Sequence, residues 1–148
     1  MDPRQKFHEH HEELINQFKR LRDSALQFPG DHGDELCEFL SSNIKPHAEA
    51  EEAVLYEKID SIAGDEIATL TMRKEHEVLT GLIDKLQEST DQRERFQETL
   101  LRFSNLLLNH FDKEEDVLIP YIVDRRTEKQ LEKLLHEVHE EEESNAHA

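Results

Sequence analysis

An all-α fold is predicted, an antiparallel up-down four-helix bundle with a short additional C-terminal helix, and three observations predict it. Only four glycines and four prolines occur in 148 residues, too few for the many tight turns of a β-fold. Apolar residues recur in alternating steps of four and three along four successive stretches, the spacing of a bundle seam. The chain also repeats itself: His47-Ala48-Glu49-Ala50-Glu51-Glu52-Ala53-Val54-Leu55 and His110-Phe111-Asp112-Lys113-Glu114-Glu115-Asp116-Val117-Leu118 share the pattern H-x-x-x-E-E-x-V-L. His11-Glu12-Glu13-Leu14 and His76-Glu77-Val78-Leu79 form a second similar pair at nearly the same interval. The chain therefore reads as two helical hairpins in tandem, each with one lone histidine and one His-x-x-x-Glu.

The first helix opens at Asp2-Pro3, with Asp as N-cap and Pro at the first helical position, and runs to Phe28-Pro29-Gly30. Its stripe is Phe7, His11, Leu14, Phe18, Leu21, Ala25, Phe28. Of the clustered histidines only His11 lies on that stripe; His10 points well away, and His8 lies one turn earlier on the flank. After the loop around Pro29–Gly33, a second helix spans about Asp34 to Asp60, with the stripe Cys37, Leu40, Ile44, His47, Glu51, Val54. Pro46 removes a backbone hydrogen bond inside it, which predicts a kink or bulge immediately before His47. Ala63-Gly64-Asp65 closes this helix and caps a third, which runs to about Glu88 with Thr69, Met72, His76, Leu79, Ile83, Leu86 inward. Ser89-Thr90-Asp91 is the next boundary. The fourth helix carries Phe96, Leu100, Phe103, Leu107, His110, Glu114, Val117, Tyr121, with Pro120 near its end. A fifth starts at the capping box Thr127-Glu128-Lys129-Gln130 and carries Leu131, Leu134, Leu135 and Val138. The like-charged run Glu140–Glu143 after it is expected to fray. This divides the chain into a bundle, 1–124, and an appended helix and acidic tail, 125–148.

Thirty-five acidic against eighteen basic residues give a formal charge of −17, which opposes binding to nucleic acid and to anionic lipid. The single Cys37 excludes an intrachain disulfide framework and is expected to be buried and inert. The N-terminal residues lack the apolar core of a secretion signal, and no run reaches the ~18 apolar residues of a membrane helix. The expected setting is cytoplasmic.

The polar members of the four stripes are His11, His47, Glu51, His76, His110 and Glu114. Burying two unpaired carboxylates and four imidazoles in one layer costs several kcal/mol per charge unless something compensates. A pair of cations is the economical candidate. Imidazole with carboxylate suits iron, and less selectively zinc or manganese. The two glutamates can bridge two metals, each held further by two histidines, with positions left open for a small ligand.

On these residues the sequence resembles the hemerythrin-like, or HHE cation-binding, domain family over about residues 5 to 123. The resemblance implies an antiparallel four-helix bundle around a non-haem di-iron site. His11 then matches the helix-one histidine, His47 with Glu51 the helix-two pair, His76 the helix-three histidine and His110 with Glu114 the helix-four pair. It implies two iron ions, Fe2+/Fe3+, oxo- or hydroxo-bridged when oxidised, and O2 or NO as partner. The oxygen carriers have a further histidine where Met72 stands and an aspartate where Glu115 stands. The four-His, two-Glu set is closer to bacterial relatives implicated in iron-centre repair, nitric-oxide response and iron sensing. The expected function is therefore small-ligand binding rather than catalysis. The alternative is iron handling, iron-centre repair, or redox chemistry on peroxide or nitric oxide.

The remaining candidates receive plainer readings. His8 is a possible fifth imidazole, and Glu52 and Glu115 are solvated or accept hydrogen bonds from ligand imidazoles. His136 and His139 form a solvated face, Met72 lines the core, and Tyr56 and Tyr121 are ordinary bundle residues unless one reaches the metals.

Overall fold

The computed structural model describes residues 2–146 and contains five helices and, among the described residues, no strand. Helix α1 is Pro3–Gln27, α2 spans 31–63, α3 is Ile67–Glu88, α4 spans 93–123 and α5 is Glu128–Ala146. The expected caps are in place. Asp2 accepts from the Arg4 amide at 2.9 Å, and Thr127 and Gln130 exchange bonds of 3.0 and 3.2 Å. Gly64 closes α2 at φ 80°, a left-handed conformation that suits glycine. The α1–α2 loop is shorter than expected, because the chain re-enters helix at Asp31, where Asp31 and Asp34 favour a helix N-terminus.

Helix α1 packs on α2 and α4, and α3 packs on the same two, which closes the four-helix ring; α5 lies across α2 and α1. Two apolar clusters fill the bundle. One gathers Leu14, Phe18, Leu36, Leu40, Ile83, Phe96 and Phe103. The other gathers Phe7, Leu55, Tyr56, Ile59, Leu118 and Ile122 with Leu131, Leu134 and Val138 of α5.

Neither α2 nor α4 is a uniform α-helix. Leu40–Ile44 and Glu51–Tyr56 in α2, and Glu114–Leu118 in α4, are π-helical turns. The first and last each end two residues before a proline, Pro46 or Pro120, whose missing N–H and bulky ring are relieved by a wider turn. The bulge expected ahead of His47 is the turn Leu40–Ile44. The turns that start at Glu51 and Glu114 each insert an extra residue, and they overturn part of the expected stripes. Val117 is 60% exposed and Val54 only partly buried, while Leu55, Tyr56, Leu118 and Ile119 take the inward positions. The acidic tail differs as well. Instead of fraying, Glu140–Glu143 continue α5, and Glu142 is buried against the bundle because it extends the stripe of Leu131, Leu134 and Val138.

Candidate metal centre

Between the two apolar clusters the four long helices bring His11, His47, Glu51, His76, His110 and Glu114 together, each 0–5% exposed. Donor atoms of His11, His47, Glu51 and Glu114 lie within 4.8 Å of one another, as do those of Glu51, His76, His110 and Glu114. Both groups contain both glutamates, so the centre has two lobes that share their carboxylates. In the first lobe His47 Nε2 lies 3.2 Å from Glu51 Oε2 and 3.2 Å from His11 Nε2, and His11 Nε2 is 3.8 Å from Glu114 Oε1. In the second, His76 Nε2 is 3.4 Å from Glu51 Oε1, and His110 Nε2 is 3.7 Å from Glu114 Oε2.

All four imidazoles turn Nε2 inward and Nδ1 toward an outer carboxylate. Nδ1 of His76 meets Glu52 at 3.1 Å, that of His110 meets Glu75 at 3.1 Å, and that of His47 meets Glu142 at 3.0 Å. His11 Nδ1 faces Glu115 at a looser 3.7 Å. A carboxylate on the outer nitrogen fixes ring orientation and leaves the inner nitrogen as the donor, the arrangement that supports a ligating histidine. Glu52 thus takes the outer role anticipated for it, whereas Glu115 lies beside His11 Nδ1 without a hydrogen bond and bonds His8 instead. Glu75 and Glu142 were not anticipated. His8 reaches neither lobe; it bonds Glu115 and Glu12 at the surface. His10, expected to point away, packs against α5 and meets Glu142 at 2.9 Å.

Of the two tyrosines read as ordinary bundle residues unless one reached the centre, Tyr56 is the one that does. Its hydroxyl donates to Glu114 Oε2 at 2.8 Å and lies 3.2 Å from His110 Nε2 and 3.3 Å from His76 Nε2. In an α-helix the fifth residue after Glu51 faces elsewhere; the π turn swings it onto the same face. The lobes consequently differ. The first is covered by Phe111, stacked on His11 at 4.3 Å, and by Phe7 at 4.2 Å, whereas the second faces a phenol.

The electrostatics are those of carboxylates crowded without enough cations. Burial and the neighbouring Glu51 push Glu114 well above the usual carboxylate range. Burial opposes ionisation of Glu51 too, yet the charge of the neighbouring His47 holds it well below. His47, though desolvated, is raised to about 10 by Glu51 and Glu142; burial lowers His110 to about 4. Tyr56 is raised well above its ordinary value by burial and by Glu114, and so remains a donor. Even so, both oxygens of Glu51 and one of Glu114 are buried with no hydrogen-bond partner among the described residues. Unpaired buried carboxylate oxygens are costly, and cations between the lobes satisfy them, so this donor set fits a metal.

A family model for the hemerythrin HHE cation binding domain matches residues 2–122, and again 68–144. The chain belongs to the hemerythrin HHE cation-binding domain family. The two matches overlap, and the second begins in α3, in keeping with a second hairpin that repeats the first. No curated protein and no solved structure matches. Membership of a cation-binding family and the buried His/Glu lobes together point to a metal-binding site. No described helix is long and apolar enough to cross a membrane.

Proposed function

We propose that this hemerythrin-domain protein binds two iron ions and presents them to a small ligand such as O2 or NO. The observation that carries the reading is the pair of lobes joined by Glu51 and Glu114, with three of their four carboxylate oxygens unpaired. His11 and His47 would hold one iron and His76 and His110 the other, with both glutamates bridging. Imidazole and carboxylate together suit iron, and the bound pair would supply redox capacity and positions not filled by protein.

The chain's own residues define what happens around those positions. Glu52, Glu75 and Glu142 orient three imidazoles so that Nε2 faces inward. Phe7 and Phe111 exclude water from the His11 side. Tyr56 places the donating hydroxyl beside His76 and His110, which favours that side for a ligand that accepts a hydrogen bond. Binding rather than turnover is the reading preferred, in a cytoplasmic setting consistent with the unpaired, buried Cys37, whose thiol burial pushes up to about 11.

The test is to load the metal-free protein with Fe(II) anaerobically, count bound iron, and follow the optical spectrum as oxygen is added and withdrawn. Two irons and a spectrum that returns on oxygen removal support ligand binding. Irreversible oxidation favours redox or iron-handling chemistry instead, and a chain that takes up no iron overturns the reading.

A further inference from the structure

Outside the two lobes, one more set of metal-binding side chains comes together among the described residues: His10 of α1 with His139 and Glu142 of α5, their donor atoms within 4.8 Å of one another. His139 and Glu142 are three apart and share a helix face. His10 approaches them across the packing of α1 on α5, its ring edge-on to His139 at 5.7 Å. The three line a cavity of about 330 Å3 with Phe7 and Val138, and His47 forms part of its wall. Glu142 belongs to both neighbourhoods. Its Oε2 is 3.0 Å from His47 Nδ1 and 2.9 Å from His10 Nε2, and its Oε1 is 3.1 Å from His10 Nε2.

The exposed-face reading of the last helix holds for His136, which is 68% exposed and pairs with Glu140 along its own helix. His139 is exposed too, its side chain at 53%, but its neighbours differ. That ring also reaches Glu143 at 3.1 Å, but it is turned toward a partly buried histidine and a Glu142 side chain only 12% exposed. Two imidazole nitrogens and a carboxylate oxygen, with one side open to this cavity, form a donor set for a first-row divalent cation.

We propose that His10, His139 and Glu142 form an accessory site for a divalent cation of the zinc type on the outer side of His47. Its accessory role rests on the proposed iron centre; its capacity to bind does not. The acidic face of α5 and the charge of −17 favour cation approach. A cation there also fastens α5 to α1 through Glu142, the residue that orients His47.

The experiment uses the full chain, loaded anaerobically with Fe(II), freed of excess and titrated with Zn(II) by calorimetry, with both metals counted by mass spectrometry. One zinc per chain is expected without loss of iron. His139→Ala, at a half-exposed position that leaves the melting temperature unchanged, is expected to weaken zinc binding at least about tenfold while iron content stays the same. His10→Ala weakens zinc likewise. Equal zinc affinity in wild type and His139→Ala, or zinc entry only at the expense of iron, overturns the proposal. Should the chain take up no iron, the centre fails as an iron site, and the comparison of zinc stoichiometry between wild type and His139→Ala still decides the accessory site.

Discussion

Glu52 of α2 holds His76 of α3 through a 3.1 Å contact between Oε1 and Nδ1, so a carboxylate from the first hairpin orients the lone imidazole of the second. Glu115 of α4 returns the relationship to His11 of α1, at 3.7 Å. The doubled glutamate of each H-x-x-x-E-E copy therefore divides its labour: the first residue faces the shared centre, and the second crosses to the other hairpin. Glu52→Gln keeps the shape but removes the charge that fixes the His76 tautomer. Iron affinity is expected to fall roughly 10- to 100-fold, measured by competition with a chelator, while helicity is unchanged because Glu52 lies at the surface. Unchanged affinity would remove Glu52 from this role.

The repeat is broken at one place, and α5 fills the gap. Glu75, just before His76, holds His110; the corresponding residue just before His11 is His10, which offers no carboxylate. Glu142 supplies it to His47 from the end of the chain. Glu142→Ala is expected to lower iron affinity on a scale similar to Glu52→Gln. Removing everything after Val123 does more, because Leu131, Leu134 and Val138 leave the core. At ~1.5–3 kcal/mol for each buried aliphatic side chain, that loss is on the order of the whole stability of a domain. The truncated chain should show no cooperative thermal transition by circular dichroism at the wild-type temperature. A transition at that temperature would show that α5 is dispensable to the bundle.

The helices, their caps and the six inward polar residues were legible because they obey a 3.6-residue period that a sequence displays directly. Val54 and Val117 leave the expected stripes, and Tyr56 rather than Tyr121 reaches the centre, for one reason: the π turns at Glu51–Tyr56 and Glu114–Leu118 each add a residue after the glutamate. Only the proline two residues beyond marks one of them in the sequence, and the turn at Glu51 has no such mark. Glu142 was hidden differently. Four consecutive glutamates look solvated, and only the continuation of the stripe from Leu131 through Val138 marks which of them turns inward.

Tyr56 donates to Glu114 at 2.8 Å, and Tyr56→Phe removes that hydroxyl with almost no change of volume. The buried carboxyl then loses its donor, a cost of about 1–3 kcal/mol in the metal-free protein. Iron content should remain that of wild type, because no inward nitrogen or carboxylate is lost. The spectrum under oxygen, or the rate of irreversible oxidation, should change. Identical spectra and rates would confine Tyr56 to packing.

Glu114 separates what the centre does for folding from what it does for metal. Burial and Glu51 raise its pKa well above the ordinary range, so in the metal-free protein its neutral form is favoured. Glu114→Gln mimics that neutral form. Metal-free stability in denaturant titrations should change by no more than about 1 kcal/mol, the scale of one hydrogen bond, whereas the rise in melting temperature on adding Fe(II) should vanish. His136→Ala should keep that rise. If Glu114→Gln still gains stability from iron, the carboxylate is not part of the centre.

The same protons set how metal uptake depends on pH. In the metal-free protein His47 is raised to about 10, through Glu51 and Glu142 against desolvation, so it carries a proton at pH 7; burial and Glu51 shift Glu114 toward its protonated form as well. His110, lowered to about 4 by burial, carries none in that range. A ligating imidazole or carboxylate must be deprotonated, so loading releases the proton on His47. Apparent iron affinity should therefore increase with pH throughout the range below about 10, by roughly tenfold per unit for each proton still held. Calorimetry in buffers of different ionisation enthalpy counts the released protons directly, and no net release between pH 6 and 8 would mean that the metal does not displace the proton of His47.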